Sequence, residues 1–244
     1  MPNASDHRPA DVRDMGIVHS ALRRDLRRMA IVLESDAPIT DERRQALAEH
    51  ALQMMHFLHN HHTGEDDHLW PAVRSRNPDA GPLLDQMDAD HRRIAPAITE
   101  LEVAARAYAA DASARDQFSA AVATMAEVTL PHLRREELEM MPVVAETLTE
   151  TEYEEIGKRA FVKPKSFAQL GREGHWILDG VDQESYDRMV SVVPPPARFV
   201  MIKAFRRRHL RHEYAEQGFP TSPSDGRSLP PPRPRLSTVE RMMP

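Results

Sequence analysis

The chain has 244 residues, a formal net charge of −6 and no cysteine. The missing cysteine excludes disulfides, zinc–thiolate sites, iron–sulfur clusters and thiol nucleophiles, and the acidic balance argues against a nucleic-acid or anionic-membrane partner. With 9 glycines and abundant Ala, Leu, Arg and Glu the composition favours helix over sheet, and its anomaly is 13 histidines, most of them before residue 133.

The N-terminal Met-Pro-Asn-Ala-Ser-Asp-His-Arg has no signal-peptide apolar run, and no segment nears the roughly 20 apolar residues of a membrane span. A cytoplasmic location is expected, with residues 1–10 disordered. Apolar residues at helical spacing then mark four long helices. The first covers about residues 11–34 through Met15, Val18, Leu22, Leu26, Met29 and Leu33. After Pro38, Thr40 or Asp41 caps a second that runs to about Arg76 through Leu47, Leu52, Met55, Leu58 and Leu69. Asn77, Pro78 and Gly81-Pro82 break the chain, and a third helix carries Leu83, Leu84, Met87, Ile94, Ile98, Leu101 and Val103 to about Tyr108. The fourth starts at Asp111 or Ser113 and passes Phe118, Val122, Met125, Val128, Leu133, Met140 and Val144 to about Leu148. Short connections imply antiparallel neighbours, so the expected fold is all-α: an up-down-up-down four-helix bundle over residues 11–148.

Residues 149–219 are expected to pack on the bundle as an extension of irregular structure and short helices. Within it, residues 161–200 read as irregular with a short helix near residues 183–190, and residues 197–215 as a basic helix. Trp176, Ile177 and Leu178 are candidates to plug one end of the bundle or cover its site. Residues 220–244, rich in Pro and Arg, read as a disordered tail.

A repeat carries the chemistry. His61-x3-Glu65-Asp66-x2-Leu69-Trp70-Pro71 recurs as His132-x3-Glu136-Glu137-x2-Met140-Met141-Pro142 at a constant offset of 71 residues. The i,i+4 spacing puts imidazole and carboxylate on one helix face, a turn apart, where they can share a metal. Counting along the helices at about 1.5 Å per residue brings His19, His61, Glu65, His91, His132 and Glu136 to a common layer. Four imidazoles and two carboxylates suit iron, manganese or zinc. Asp66 and Glu137 follow the presumed ligands by one residue, turn about 100° away and read as surface acids. His56, His59 and His62 read as pointing elsewhere, and the Met pairs at 54–55 and 140–141 as core filler. Pro96 and Pro131 each remove a hydrogen bond from a helix beside a presumed ligand.

The order and spacing of these residues, with the flanking Leu69-Trp70-Pro71 and Met140-Met141-Pro142, resemble the hemerythrin-like cation-binding domain over roughly residues 11–148. The resemblance implies a cofactor of two non-haem iron ions, with Glu65 and Glu136 bridging them and the histidines filling the ends. It implies dioxygen, hydrogen peroxide or nitric oxide as the small ligand. One departure stands out: oxygen-carrying hemerythrins have His-x3-His on the third helix, whereas Ala95 stands four residues after His91 here. His62, His68, a tyrosine such as Tyr108, or water would have to replace that nitrogen. An under-ligated iron holds dioxygen less faithfully and admits peroxide more easily. The expectation is therefore oxidative or nitrosative stress defence, with catalase-like peroxide decomposition, or redox sensing. The alternatives are an oxygen or iron sensor, ferritin-like iron storage, for which Glu65-x-x-His68 fits and Asp88-x-x-His91 is a near miss, and a metal-free interaction bundle.

Overall fold

The computed structural model describes residues 8–191. Among them the chain is all-helical apart from an isolated bridge between Pro9 and Thr149. Helix α1 is Arg13–Glu34. Helix α2 runs over residues 41–76 as Asp41–Gly64, a π turn Glu65–Leu69, and Trp70–Arg76. Helix α3 is Gly81–Ala110. Helix α4 runs over residues 115–147 as Arg115–Arg135, a π turn Glu136–Met140, and Met141–Thr147. Three shorter helices follow: α5 over residues 150–162, ending in a π turn Lys158–Val162, α6 (Phe167–Ile177) and α7 (Gln183–Ser191). No helix of the described residues is long and apolar enough to cross a membrane.

The ends have local causes. Thr40 accepts from the Arg43 N–H to start α2, Thr149 and Glu152 form a reciprocal capping box for α5, and Ser166 accepts from Gln169 to start α6. The two π turns of the repeat sit at matched places. Pro71 and Pro142 stand second in the helical parts that follow them. Proline has no N–H, and its ring collides with the carbonyl four residues back. Widening the turn by one residue moves that carbonyl aside, and the N–H groups of Trp70 and Met141 reach the carbonyls of Glu65 and Glu136 instead.

Two apolar clusters fill the interior. The larger includes Leu22, Leu26, Leu58, Ile94, Leu101, Phe118 and Leu133, and the smaller Met15, Leu69, Trp70, Leu84, Met87, Met140 and Tyr153. Burying a side chain such as Leu22 contributes about 1.5–3 kcal/mol. Backbones pack most closely between α3 and α4, α2 and α3, and α1 and α4. At one end of the assembly Arg44 donates to the carbonyls of Tyr108 and Ala109, and Arg115 to those of Leu33 and Val32, which satisfies carbonyls left free where α3 and α1 stop.

Side chains of the extension enter between α1 and α2. The Trp176 indole N–H donates to Asp25 of α1 at 2.6 Å and stands edge-on to Phe57 of α2 at 4.9 Å between ring centroids. Asp25 also meets His50 Nε2 of α2 at 2.8 Å.

Three expectations need correcting or placing. Gly171 and Gly174 point to irregular structure over residues 167–177, yet these residues are helical. A Ser166 cap and the burial of Trp176 and Ile177 against the bundle override the weak helix propensity of glycine. Residues 8–10 of the N-terminal segment, expected to be disordered, are held in place: the Ala10 N–H donates to the carbonyls of Ala145 and Leu148, and Ala10 is buried. The basic segment of residues 197–215, the tail of residues 220–244 and residues 1–7 lie outside the described residues.

Candidate metal centre

A polar layer separates the two apolar clusters. His19 of α1, His61 and Glu65 of α2, His91 of α3, and His132 and Glu136 of α4 are all buried, with both glutamates at 0 % exposure. The six residues expected from the sequence thus converge. His62 joins them, buried, its ring stacked on that of His91 at 4.0 Å and 11°.

The donors form two trios, His19–His61–Glu136 and His62–His91–His132, and within each trio one ligand atom per residue lies within 4.8 Å of the others. Glu65 belongs to neither trio, and both carboxylates approach histidines of both. Glu65 places Oε1 3.0 Å from His61 Nε2 and Oε2 3.6 Å from His91 Nε2. Glu136 Oε2 lies 3.4 Å from His19 Nε2 and 3.5 Å from His132 Nε2. Each carboxylate therefore faces one histidine of each trio.

The orphaned atoms test whether a cation fits. The Nε2 atoms of His19, His61, His62, His91 and His132, and both oxygens of Glu65 and Glu136, are buried without a hydrogen-bond partner. Each such group costs about 1–3 kcal/mol when left unsatisfied. Lone-pair nitrogens and carboxylate oxygens lack an acceptor of electron pairs, not one another, so a cation is the partner this set fits. Nitrogen and oxygen donors without sulfur suit iron, manganese or zinc.

Outer acids fix the rings. His19 Nδ1 lies 2.9 Å from Glu137 Oε1 and His91 Nδ1 lies 2.7 Å from Asp66 Oδ1. His132 Nδ1 faces Asp90 Oδ2 at 3.7 Å. A carboxylate only accepts, so in His19 and His91 Nδ1 carries the proton of the neutral ring and Nε2 turns its lone pair into the layer, whereas His132 Nδ1 makes no hydrogen bond. Glu137 is held in turn by Arg23 through contacts of 2.8 and 2.9 Å, and Asp90 by Arg135.

Electrostatics agree with a ligand role. Burial drives His19 down to about 4 and also lowers His62 and His132, which keeps these imidazoles neutral. Burial also works against a charged His91, but the Asp66 hydrogen bond and the Glu65 charge outweigh it and raise this ring. Burial works to raise Glu65, yet His61 and then His91 and His132 hold it below the usual carboxylate range. Burial and the Glu65 charge push Glu136 well above that range. Two facing carboxyls split this way unless a cation lies between them.

Some expectations give way. Asp66 and Glu137 are not merely surface acids. A side chain 100° from the bundle axis points at the seam with the next helix, so each reaches the outer edge of a histidine there. The signal was present, because both copies of the repeat carry an acid at that position. Among the candidates to replace the missing nitrogen, Tyr108 lies stacked on Phe118 beside Arg44, away from the layer. His68 is half-buried and belongs to neither trio, and Ala95 is exposed. His56 and His59 are exposed, as expected.

A helical chain that buries five imidazoles and two carboxylates in one layer is a cation-binding protein by its donor chemistry. The family model of the hemerythrin HHE cation binding domain matches residues 10–144, more than half of the chain. The protein belongs to that family. Comparison with curated proteins and with solved structures gives no match.

Proposed function

We propose that the four long helices form an up-down-up-down antiparallel bundle over residues 11–148 that holds two non-haem iron ions, and that the centre turns over hydrogen peroxide or binds dioxygen or nitric oxide. The placement of Glu65 and Glu136, each facing one histidine of each trio, carries this reading. Carboxylates so placed can bridge two cations, with His19 and His61 on one side and His62, His91 and His132 on the other. The Arg44 and Arg115 contacts support the antiparallel order, since they join the start of α2 to the end of α3 and the start of α4 to the end of α1.

His62 supplies the nitrogen that Ala95 does not. The side with fewer imidazoles is then that of His19 and His61, and it has the more room for a small ligand. Iron held there would bind such ligands and change oxidation state. The chain does the rest. Glu137 and Asp66 hold Nδ1 of His19 and His91 and keep their Nε2 lone pairs aimed inward. The apolar shell of Leu22, Leu58, Ile94, Met15, Leu69 and Met140 keeps water from the layer. Ferritin-like storage is less well supported, because His68 of the Glu65-x-x-His68 pattern stands outside both trios.

The test is to supply iron to the purified protein and follow peroxide consumption, and the optical changes on adding dioxygen or nitric oxide. Peroxide decay or ligand spectra that vanish in His61→Ala and Glu136→Ala support the reading. Unchanged signals in these variants would contradict it.

A further inference from the structure

We propose that Phe161 closes the metal pocket on its His19–His61 side, and that its seat on Gly64 restricts entry to molecules of a few atoms. This rests on the metal-binding reading for its consequence, but not for its test. Gly64 lies inside α2, directly before Glu65, and is buried. Glycine is the poorest helix former after proline, so a glycine here calls for a reason. The reason is Phe161. A Cβ at residue 64 would meet its ring 3.0 Å from Cδ1 and closer still to Cε1. A side chain at residue 64 would displace the Phe161 ring from this seat.

The ring stands where access would be. Its centroid lies 5.5 Å from that of His61, whose ring is stacked on Phe57 at 5.9 Å and 13°. His61 is thus flanked by two aromatic rings and is left only 5 % exposed. Phe161 itself is half-buried, so its ring spans from contact with His61 to the outside of the molecule. Beyond Phe57 the cover continues: the Lys165 ammonium sits 5.0 Å over its ring and pairs with Glu173 at 2.6 Å. Phe161 lies in the π turn that ends α5, outside the family match of residues 10–144.

The experiment uses the full chain without metal and diethyl pyrocarbonate, which acylates a neutral imidazole nitrogen and is far larger than peroxide. Peptide mass spectrometry gives the labelling rate of His61, with exposed His56 and His59 as internal references. Removing the ring from its seat should raise the His61 rate at least about tenfold in Phe161→Ala. Phe161→Leu should fall between, and Val162→Ala, next to it and already 37 % exposed, should match the parent. A folded Phe161→Ala whose His61 labels within twofold of the parent overturns the closure. Should Phe161→Ala fail to fold by circular dichroism, Phe161→Leu is compared with Val162→Ala. Faster His61 labelling in Phe161→Leu supports the closure, and equal rates overturn it. The seat has its own test. Gly64→Ala should lower the melting temperature with Phe161 present and raise it in the Phe161→Ala background, because the Cβ then has room. A rise in both backgrounds overturns it. Neither result depends on bound metal, so failure here is separate from failure of the metal reading.

Discussion

Glu137→Ala tests the outer acids one trio at a time. The substitution removes the acceptor 2.9 Å from His19 Nδ1 and leaves Arg23, held by two contacts of 2.8 and 2.9 Å, without its partner. Losing the outer carboxylate behind a metal-bound imidazole weakens metal affinity by about 10–100-fold, or about 1.4–2.7 kcal/mol. The upper half of that range applies to Glu137, whose side chain is 26 % exposed and whose loss leaves a cation beside the layer. The lower half applies to Asp66→Ala, since that side chain is 41 % exposed and water can take its place on His91. Each acid touches a histidine of one trio only. Titration of metal-free protein with cobalt(II) against a competing chelator should resolve two constants. Glu137→Ala lowers that of the His19 trio, Asp66→Ala that of the His91 trio, and the other constant stays within about twofold. Glu137→Gln, which still accepts through Oε1, recovers most of the loss. Equal movement of both constants, or of neither, would refute the reasoning.

His62→Ala should cost one bound metal of two, read by elemental analysis; an unchanged content would return the missing nitrogen to water. Metal at 100 times its dissociation constant should stabilise the fold by about 2.7 kcal/mol per site, a rise of about 5–11 °C in melting temperature for a domain of this size, which Glu136→Ala should not show. Asp25→Ala strips a buried carboxylate from His50, Trp176 and Arg24, and should cost about 3–5 kcal/mol, or about 6–20 °C by thermal circular dichroism; a drop under about 3 °C would contradict it. The same group sets an acid limit. Burial works to raise Asp25, but His50 and Arg24 overcome it and hold the carboxyl below its usual range. Its contribution is therefore fully present above the unfolded value of about 3.9 and fades as pH falls through the folded value. Melting temperature should fall more steeply below pH 4 in the parent than in Asp25→Asn, and parallel slopes would remove the assignment.

Much of this architecture is legible because helical phase is a one-dimensional signal. Leu22, Leu58, Ile94 and Met125 step along their helices at the spacing that buries them, and histidines in phase with them have to face the same interior. The doubled His-x3-Glu announces the layer for the same reason. Phase alone misleads where a neighbouring helix intervenes. Rotation about their own helix takes Asp66 and Glu137 off the axis and makes them read as exposed, and only the seam with the next helix shows what they meet. His62 escapes phase similarly: one residue from His61, it lies on α2 toward His91, and two adjacent residues can serve one layer when the layer has two sides. The repeated prolines at 71 and 142 carry a further signal, since each stands just past the π turn that begins at a glutamate of the layer. Phe161 on Gly64 is out of reach of the sequence, because it joins segments nearly 100 residues apart in a contact that no periodicity encodes.

Metal content per chain, by elemental analysis of protein purified from iron-supplied cells, tests the central claim most directly. Close to two irons per chain, falling in His61→Ala and Glu136→Ala, is the result expected of a layer whose two glutamates each face both trios. A folded, helical protein with little or no metal would contradict it.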